Sequence, residues 1–269
     1  MKIRPVVKCH GGKWFLNEWI LDHFPENYRD YDYVEPYIGG GSVFLNKQPP
    51  HTGIEVINDK NWRLMQIFRA LRDDSQFFIG KLKKVRYCEK AFEDARTKKD
   101  GKDPLPAAIA LNEFIVRRMS RGGLCKNFAW SERQRGNKPG DVNAWKTIIK
   151  ELPAVSERLQ GVYILSEKAL DVIYAFNAPN VLLYCDPPYL PETRTSTDSY
   201  GEYEMTAEEH DTLAQMLLKF RGKVIISGYP SVLYKRLYKD WRCVKKNIAN
   251  HASQAKVKED RTEVLWMNY

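Results

Sequence analysis

The apolar run Val181-Leu182-Leu183-Tyr184-Cys185 stops at Asp186-Pro187-Pro188-Tyr189, and this stretch restricts the fold more than any other in the chain. Five apolar residues bounded by a turn signal predict a buried strand. Neither proline can donate to a ladder, so the chain must leave the sheet there. It leaves with a carboxylate and an aromatic ring at the exit. In open α/β sheets the carboxyl ends of the strands are where ligands bind. A carboxylate, stiff backbone carbonyls and a flat ring suit a planar base that bears an amino group. Alone, the same residues also describe an acidic turn after a core strand, so a second signal has to decide.

That signal lies upstream. Tyr31-Asp32-Tyr33-Val34-Glu35-Pro36-Tyr37-Ile38 runs into Gly39-Gly40-Gly41-Ser42, followed by Val43-Phe44-Leu45. The pattern predicts a strand, a glycine turn that a ligand can approach closely, and then an apolar helix. A second strand, Ile54-Glu55-Val56-Ile57, ends in Asn58-Asp59. An acid about 20 residues beyond such a turn is placed to hydrogen-bond ribose hydroxyls. Phe44 stands where G-x-G-x-x-G needs its last glycine. That points away from a dinucleotide and toward a smaller nucleoside ligand.

Periodicity divides the chain into three segments. Residues 1–60 carry a helix at about 13–24, a strand at 32–35, the glycine turn with its helix, and a strand at 54–58. Residues 61–158 read as mainly helical: 61–71 capped by Asn61, then 75–98, 106–119 and 143–159, with Pro153 expected to end or kink the last. A polar loop at 98–104 and a basic loop at 120–142 interrupt them. From Val162 onward, strands at 162–165, 181–185, 223–227, 241–248 and 262–267 alternate with helices at 167–176, 206–219 and 230–238. Thr206 and Glu209 have capping-box spacing. The alternation predicts an α/β, doubly wound sheet. The short link between the last two strands predicts an antiparallel edge pair. The expected organisation is a sheet domain made of residues 1–60 and 159–269, split by the helical insertion 61–158.

The 269 residues are 43% hydrophobic and 29% charged, enough for one core and a smaller appended unit. No apolar stretch approaches the ~20 residues of a membrane span, and Met1-Lys2-Ile3-Arg4-Pro5 leads into no secretory segment. Five scattered cysteines form no C-x-x-C, and the five histidines have no ligand spacing. A disulfide framework and a bound metal are therefore not expected, and a reducing cytoplasm is. The net charge of +9 is compatible with a polyanionic partner. Arg117, Arg118, Arg121, Lys126, Arg133, Arg135 and Lys138 are interleaved with Phe128 and Trp130. Cations can follow phosphates while rings stack on bases. A solvated loop between helices is the alternative.

Together these elements resemble the DNA adenine-N6 methyltransferases of the GATC-type (Dam-like) family, which use S-adenosylmethionine. Gly11-Gly12-Lys13 is similar to the family's N-terminal element, and Glu35-Pro36-Tyr37-Ile38-Gly39-Gly40-Gly41-Ser42-Val43-Phe44 to its first cofactor motif. Asn58-Asp59 matches the acid after the second strand, Asp186-Pro187-Pro188-Tyr189 the catalytic tetrapeptide, and Arg261-Thr262-Glu263-Val264-Leu265 the closing strand. The resemblance implies a Rossmann-like methyltransferase sheet with a helical target-recognition insertion. It implies that Lys13, Tyr37, Gly39, Gly41, Asp59 and Asp186 surround S-adenosylmethionine, with Asp59 on the ribose. Cys9 falls in the same neighbourhood, where relatives often place an aromatic residue. Relatives commonly carry Asn-Arg before a Phe-Asn-Gly segment. Here the stretch reads Arg117-Arg118-Met119-Ser120-Arg121-Gly122-Gly123-Leu124, so no particular target sequence is implied.

The expected activity is site-specific transfer of a methyl group to the N6 amine of adenine in duplex DNA. Asp186 and a carbonyl of Asp186-Pro187 would accept the two amine N–H groups, and Pro187 and Pro188 would stiffen those acceptors. Tyr189 would stack on a base flipped out of the duplex. Arg117, Arg118, Arg121 and Lys126 are the expected DNA contacts. Cytosine-N4 methylation would use the same chemistry, and a DNA-binding protein without catalysis is the reading from another class. A companion restriction enzyme and the oligomeric state stay open at this point.

Overall fold

The computed structural model describes the chain apart from residues 1, 101–104, 132–133, 136–137, 195–199 and 249–260. In chain order the elements are α1 (Asn17–Leu21), β1 (Asp32–Glu35), β2 (Glu55–Asn58), α2 (Trp62–Asp73), α3 (Ser75–Lys84) and α4 (Glu89–Asp100). Then come α5 (Pro106–Met119), β3 (Gln134–Arg135), β4 (Lys138–Pro139), α6 (Gly140–Arg158), β5 (Tyr163–Leu165) and α7 (Ala169–Ala175). The chain ends with β6 (Val181–Cys185), α8 (Ala207–Leu218), β7 (Lys223–Gly228), α9 (Val232–Leu237), β8 (Arg242–Ile248) and β9 (Arg261–Met267).

Among the described residues seven strands form one sheet in the order β5-β2-β1-β6-β7-β9-β8. β6 runs parallel to β1 and β7, with Leu183 opposite Val34 and Val224. It is buried at every position, as a parallel strand with both faces covered should be. The expected antiparallel edge pair forms, β9 lying between β7 and β8. Outermost β8 exposes Arg242, Lys245, Lys246 and Asn247, charged and polar groups that discourage edge-to-edge pairing. The architecture is the Rossmann-like α/β sheet that the strand and helix alternation predicts.

The chain forms two compact units, each built from three separate stretches of sequence. The first comprises residues 1–22, 38–48 and 57–167. Its helices pack through Leu64, Ile67, Phe68 and Leu71 of α2 and through the rings of Phe78, Phe114 and Trp145. The second comprises residues 23–37, 49–56 and 168–269. Rings of Phe24, Tyr33 and Tyr184 pack on one another there, as do those of Tyr234, Tyr238 and Trp266. Among the described residues no helix is long and apolar enough to cross a membrane.

Three local expectations are corrected. No helix follows the glycine turn. Val43–Lys47 instead makes a single hydrogen-bonded turn, and Asn46 Nδ2 donates to the carbonyls of Ile3 and Ser42. Pro49 and Pro50, without N–H groups, leave nothing to propagate it. The stretch 75–98 breaks into α3 and α4 where Val85 turns extended. Pro153 does not end α6, which continues to Arg158 because Ile149, Leu152 and Val155 bury its inner face on both sides of the missing N–H.

Candidate active site

Strand order in the sheet reverses between β1 and β6. The chain builds outward through β2 to β5 and then resumes on the other side with β6 and β7. Such a switch point opens a crevice beyond the carboxyl ends of the two strands. Half-buried Tyr37 follows one of those ends and Asp186 the other. Asp186 Oδ1 accepts from Ser227 Oγ at 2.7 Å, and Tyr184 Oη lies 3.3 Å from the same Oγ. Ser227 sits near the end of β7, parallel and adjacent to β6. The hydroxyl therefore fixes the carboxylate from the neighbouring strand.

Tyr189 is 4% exposed. Its hydroxyl donates to Glu263 of β9, itself buried, and its ring meets Tyr229 edge to face at 4.7 Å. Burial, then the nearby Asp186 and Glu263 charges, push the Tyr189 phenol well above its ordinary pKa, so it acts as a donor. Neither Ser227 nor Glu263 stands out from sequence as a site residue. A polar residue near the end of an apolar strand was the available signal for the first. An acid between Thr262 and Val264 in a core strand was the signal for the second.

In the first unit the N-terminal segment backs the glycine turn. Val6 N–H donates to the Gly40 carbonyl at 2.9 Å, and a Cβ on Gly40 would stand 2.9 Å from the Val7 carbonyl. Only glycine allows that approach. Gly39, at φ 49°, turns its N–H onto Asp59 Oδ2 at 3.1 Å, while Asn61 N–H donates to Oδ1 at 2.9 Å. Burial raises the Asp59 pKa, and those two N–H groups and then the Arg117 charge oppose the rise. Cys9 Sγ lies 3.9 Å from where a Gly39 Cβ would be. Burial pushes its thiol up to about 11, keeping it protonated at neutral pH. Lys13, 5% exposed, donates to the Gly11 carbonyl at 2.7 Å. Cys9, Gly39 and Asp59 are thus brought together in this unit, and Gly41 closes the same turn with a bond to the Ile38 carbonyl.

Carboxylates offer about four acceptor sites. Asp59 uses both oxygens on backbone N–H groups, which aims it rigidly and still suits a pair of vicinal hydroxyls. The donors and acceptors present fit a nucleoside cofactor.

The four cations expected on DNA occupy two kinds of environment. Arg117 Nε pairs with Glu113 at 2.5 Å, with side chains 13% and 0% exposed. Arg118 donates to the carbonyls of Pro5 and Val6. Arg121 and Lys126 are exposed, as is Trp130, whose ring stacks on that of Phe128. Arg133 lies outside the described residues, and Arg135 and Lys138 are described by backbone alone.

Residues 10–257 match the family described as D12 class N6 adenine-specific DNA methyltransferase. The whole chain is 28% identical to a Type II methyltransferase of Lactococcus lactis subsp. cremoris, covering 96% of that protein. It is 26% identical to a Type II methyltransferase of Methanocaldococcus jannaschii, with both proteins covered in full. A DNA adenine methylase of Vibrio cholerae is 29% identical over 88% of this chain and 86% of its own length.

Proposed function

This chain belongs to the D12 class N6 adenine-specific DNA methyltransferases, and from that premise we propose how its residues divide the work. Asp186-Pro187-Pro188-Tyr189 holds the target adenine, and the glycine turn with Asp59 holds S-adenosylmethionine. The observation that carries the reading is the Asp186 carboxylate at the exit of β6, oriented by Ser227 at 2.7 Å. Adenine's amine is a weak nucleophile because its lone pair is delocalised into the ring. Asp186 accepts one amine N–H and a backbone carbonyl of Asp186-Pro187 the other. That draws the nitrogen toward a pyramidal geometry and returns the lone pair to it. The prolines keep both acceptors in place before substrate arrives, so little reorganisation is spent at the moment of reaction.

S-adenosylmethionine, when bound, supplies an electrophilic methyl group on a sulfonium. Asp59 takes the ribose hydroxyls, and Lys13, Tyr37, Gly39, Gly41 and Cys9 complete the cofactor neighbourhood. Tyr189 offers a ring to the base. An amine inside a duplex is out of reach, so the adenine is flipped out of the stack. Arg121 and Lys126 take the phosphates around it. Likeness to Type II methyltransferases along the whole chain favours a place beside a restriction enzyme that cuts the same sequence.

The test is methylation of duplex DNA by the purified protein with S-adenosylmethionine, read by sequencing that detects modified bases. N6-methyladenine at one recurrent motif is the expected result. Scattered or absent modification would overturn the site-specific reading. Asp186→Ala should abolish transfer and leave DNA affinity intact; full turnover by that variant would remove Asp186 from its role.

A further inference from the structure

Arg117 belongs to α5, in the helical stretch that the sequence assigns to target recognition, yet its surroundings are those of the cofactor residues. One end of its guanidinium is held by Glu113, one turn earlier on the same helix, at 2.5 Å. The other end points Nη1 at Cys9 Sγ, 3.7 Å away. Cys9 borders Gly39, and Gly39 N–H is the donor that fixes Asp59. The side chain is 13% exposed and its carboxylate partner fully buried. A cation so enclosed is poorly placed for phosphate contact, which needs a charge at the surface with counterions to release. Burial works against the Arg117 charge, but Glu113 outweighs it and raises the pKa, so the cation persists.

We infer that Arg117 is a positioning residue of the cofactor site: it ties α5 to the Cys9 segment behind the glycine turn and sets a positive charge facing Asp59. The inference rests on the proposed cofactor roles of Cys9 and Asp59. Removing the guanidinium deletes the ion pair with buried Glu113, loosens Cys9, and strips Asp59 of an attraction that favours its ionised form. Arg121, exposed beyond the end of α5, supplies the natural contrast.

The experiment measures S-adenosylhomocysteine affinity by calorimetry and DNA affinity across a salt series, for wild type, Arg117→Gln, Arg117→Lys and Arg121→Gln. For Arg117→Gln the expected result is a cofactor-product affinity about tenfold weaker, the effect of one lost hydrogen bond from a charged donor. DNA affinity and its salt slope stay unchanged. Arg117→Lys keeps the charge and its pairing with Glu113, and recovers part of the loss. Arg121→Gln shows the reverse pattern. Unchanged cofactor-product affinity in Arg117→Gln, or a shallower salt slope, would overturn the inference. Should Arg117→Gln fail to fold, native affinity in Arg117→Lys together with native affinity in Cys9→Ala overturns it equally. Asp59→Ala tests the underlying reading separately: if it binds S-adenosylhomocysteine normally, the cofactor assignment fails whatever Arg117 does.

Discussion

Ser227 touches the proposed catalytic carboxylate, yet no spacing rule links it to a tetrapeptide 41 residues away. What joins them is strand pairing, Ile226 opposite Cys185 in parallel register, which side-chain periodicity cannot reveal. Its hydroxyl bridges Tyr184 and Asp186. Ser227→Ala should therefore lower kcat about tenfold while KM for S-adenosylmethionine stays level, because a loosened acceptor costs preorganisation rather than binding. Ser227→Thr should restore most of the rate. A kcat equal to wild type in single-turnover assays would show the hydroxyl to be dispensable. The arginine pair teaches the opposite lesson. Arg117 and Arg118 look like surface cations by composition, but Glu113 stands at the i,i+4 spacing of an ion pair. That signal was present in the sequence. Nothing there foretold that Arg118 donates to the Pro5 and Val6 carbonyls. Arg118→Gln should cost about 1–3 kcal/mol in urea denaturation, since the part-buried carbonyls of Pro5 and Val6 lose a charged donor. The salt slope of DNA binding should not move.

Helix α8 was legible almost to the residue, because its start is written locally. Thr206 accepts from Glu209 N–H at 3.2 Å while Glu209 returns a bond to Thr206 N–H at 2.8 Å. Apolar spacing predicts a helix after Gly41, but tertiary ties from Asn46 decide where that turn ends. On α8, His210 shares the inner face with Leu213, Ala214 and Leu217 and is fully buried. Tyr234 Oη lies 2.9 Å from its Nδ1. Burial lowers the His210 pKa from the ordinary 6.5 to about 4. Its folded value is the depressed one, so the neutral ring's stability is fully present above pH 6.5. It is lost as pH falls toward 4, because the unfolded chain takes up a proton that the folded chain refuses. The loss should reach about 3 kcal/mol. His210→Gln, which keeps a partner for Tyr234 and does not titrate, should show an unfolding free energy flatter by that amount between pH 7 and 4. Parallel curves for the two proteins would mean that His210 protonates without consequence for the fold.

At the scale of the whole chain, the excess of 43 basic over 34 acidic residues is compatible with a polyanion partner but does not say which cations would meet it. Six of the seven cations in the 117–138 stretch sit on loops, short strands or helix ends, where neither 3.6-residue nor two-residue periodicity distinguishes inward from outward. The fold separates Arg117 and Arg118, engaged with internal partners, from Arg121 and Lys126, which are exposed. Binding to duplex DNA releases roughly 0.9 counterion per phosphate neutralised, so each lost contact should flatten the plot of log affinity against log salt by about that amount. Arg121→Gln with Lys126→Gln should therefore reduce the slope by about two and weaken all sequences alike, because phosphate contacts position the protein without reading bases. Trp130→Ala, removing an exposed ring that stacks on Phe128, should leave the slope unchanged while lowering affinity, since stacking releases no counterions. Measured by fluorescence anisotropy on one duplex from low to physiological salt, the two variants separate charge from stacking. A double variant with the wild-type slope would place the phosphate-binding surface elsewhere on the molecule. The net charge of +9 would then act only as a diffuse field that speeds encounter with DNA.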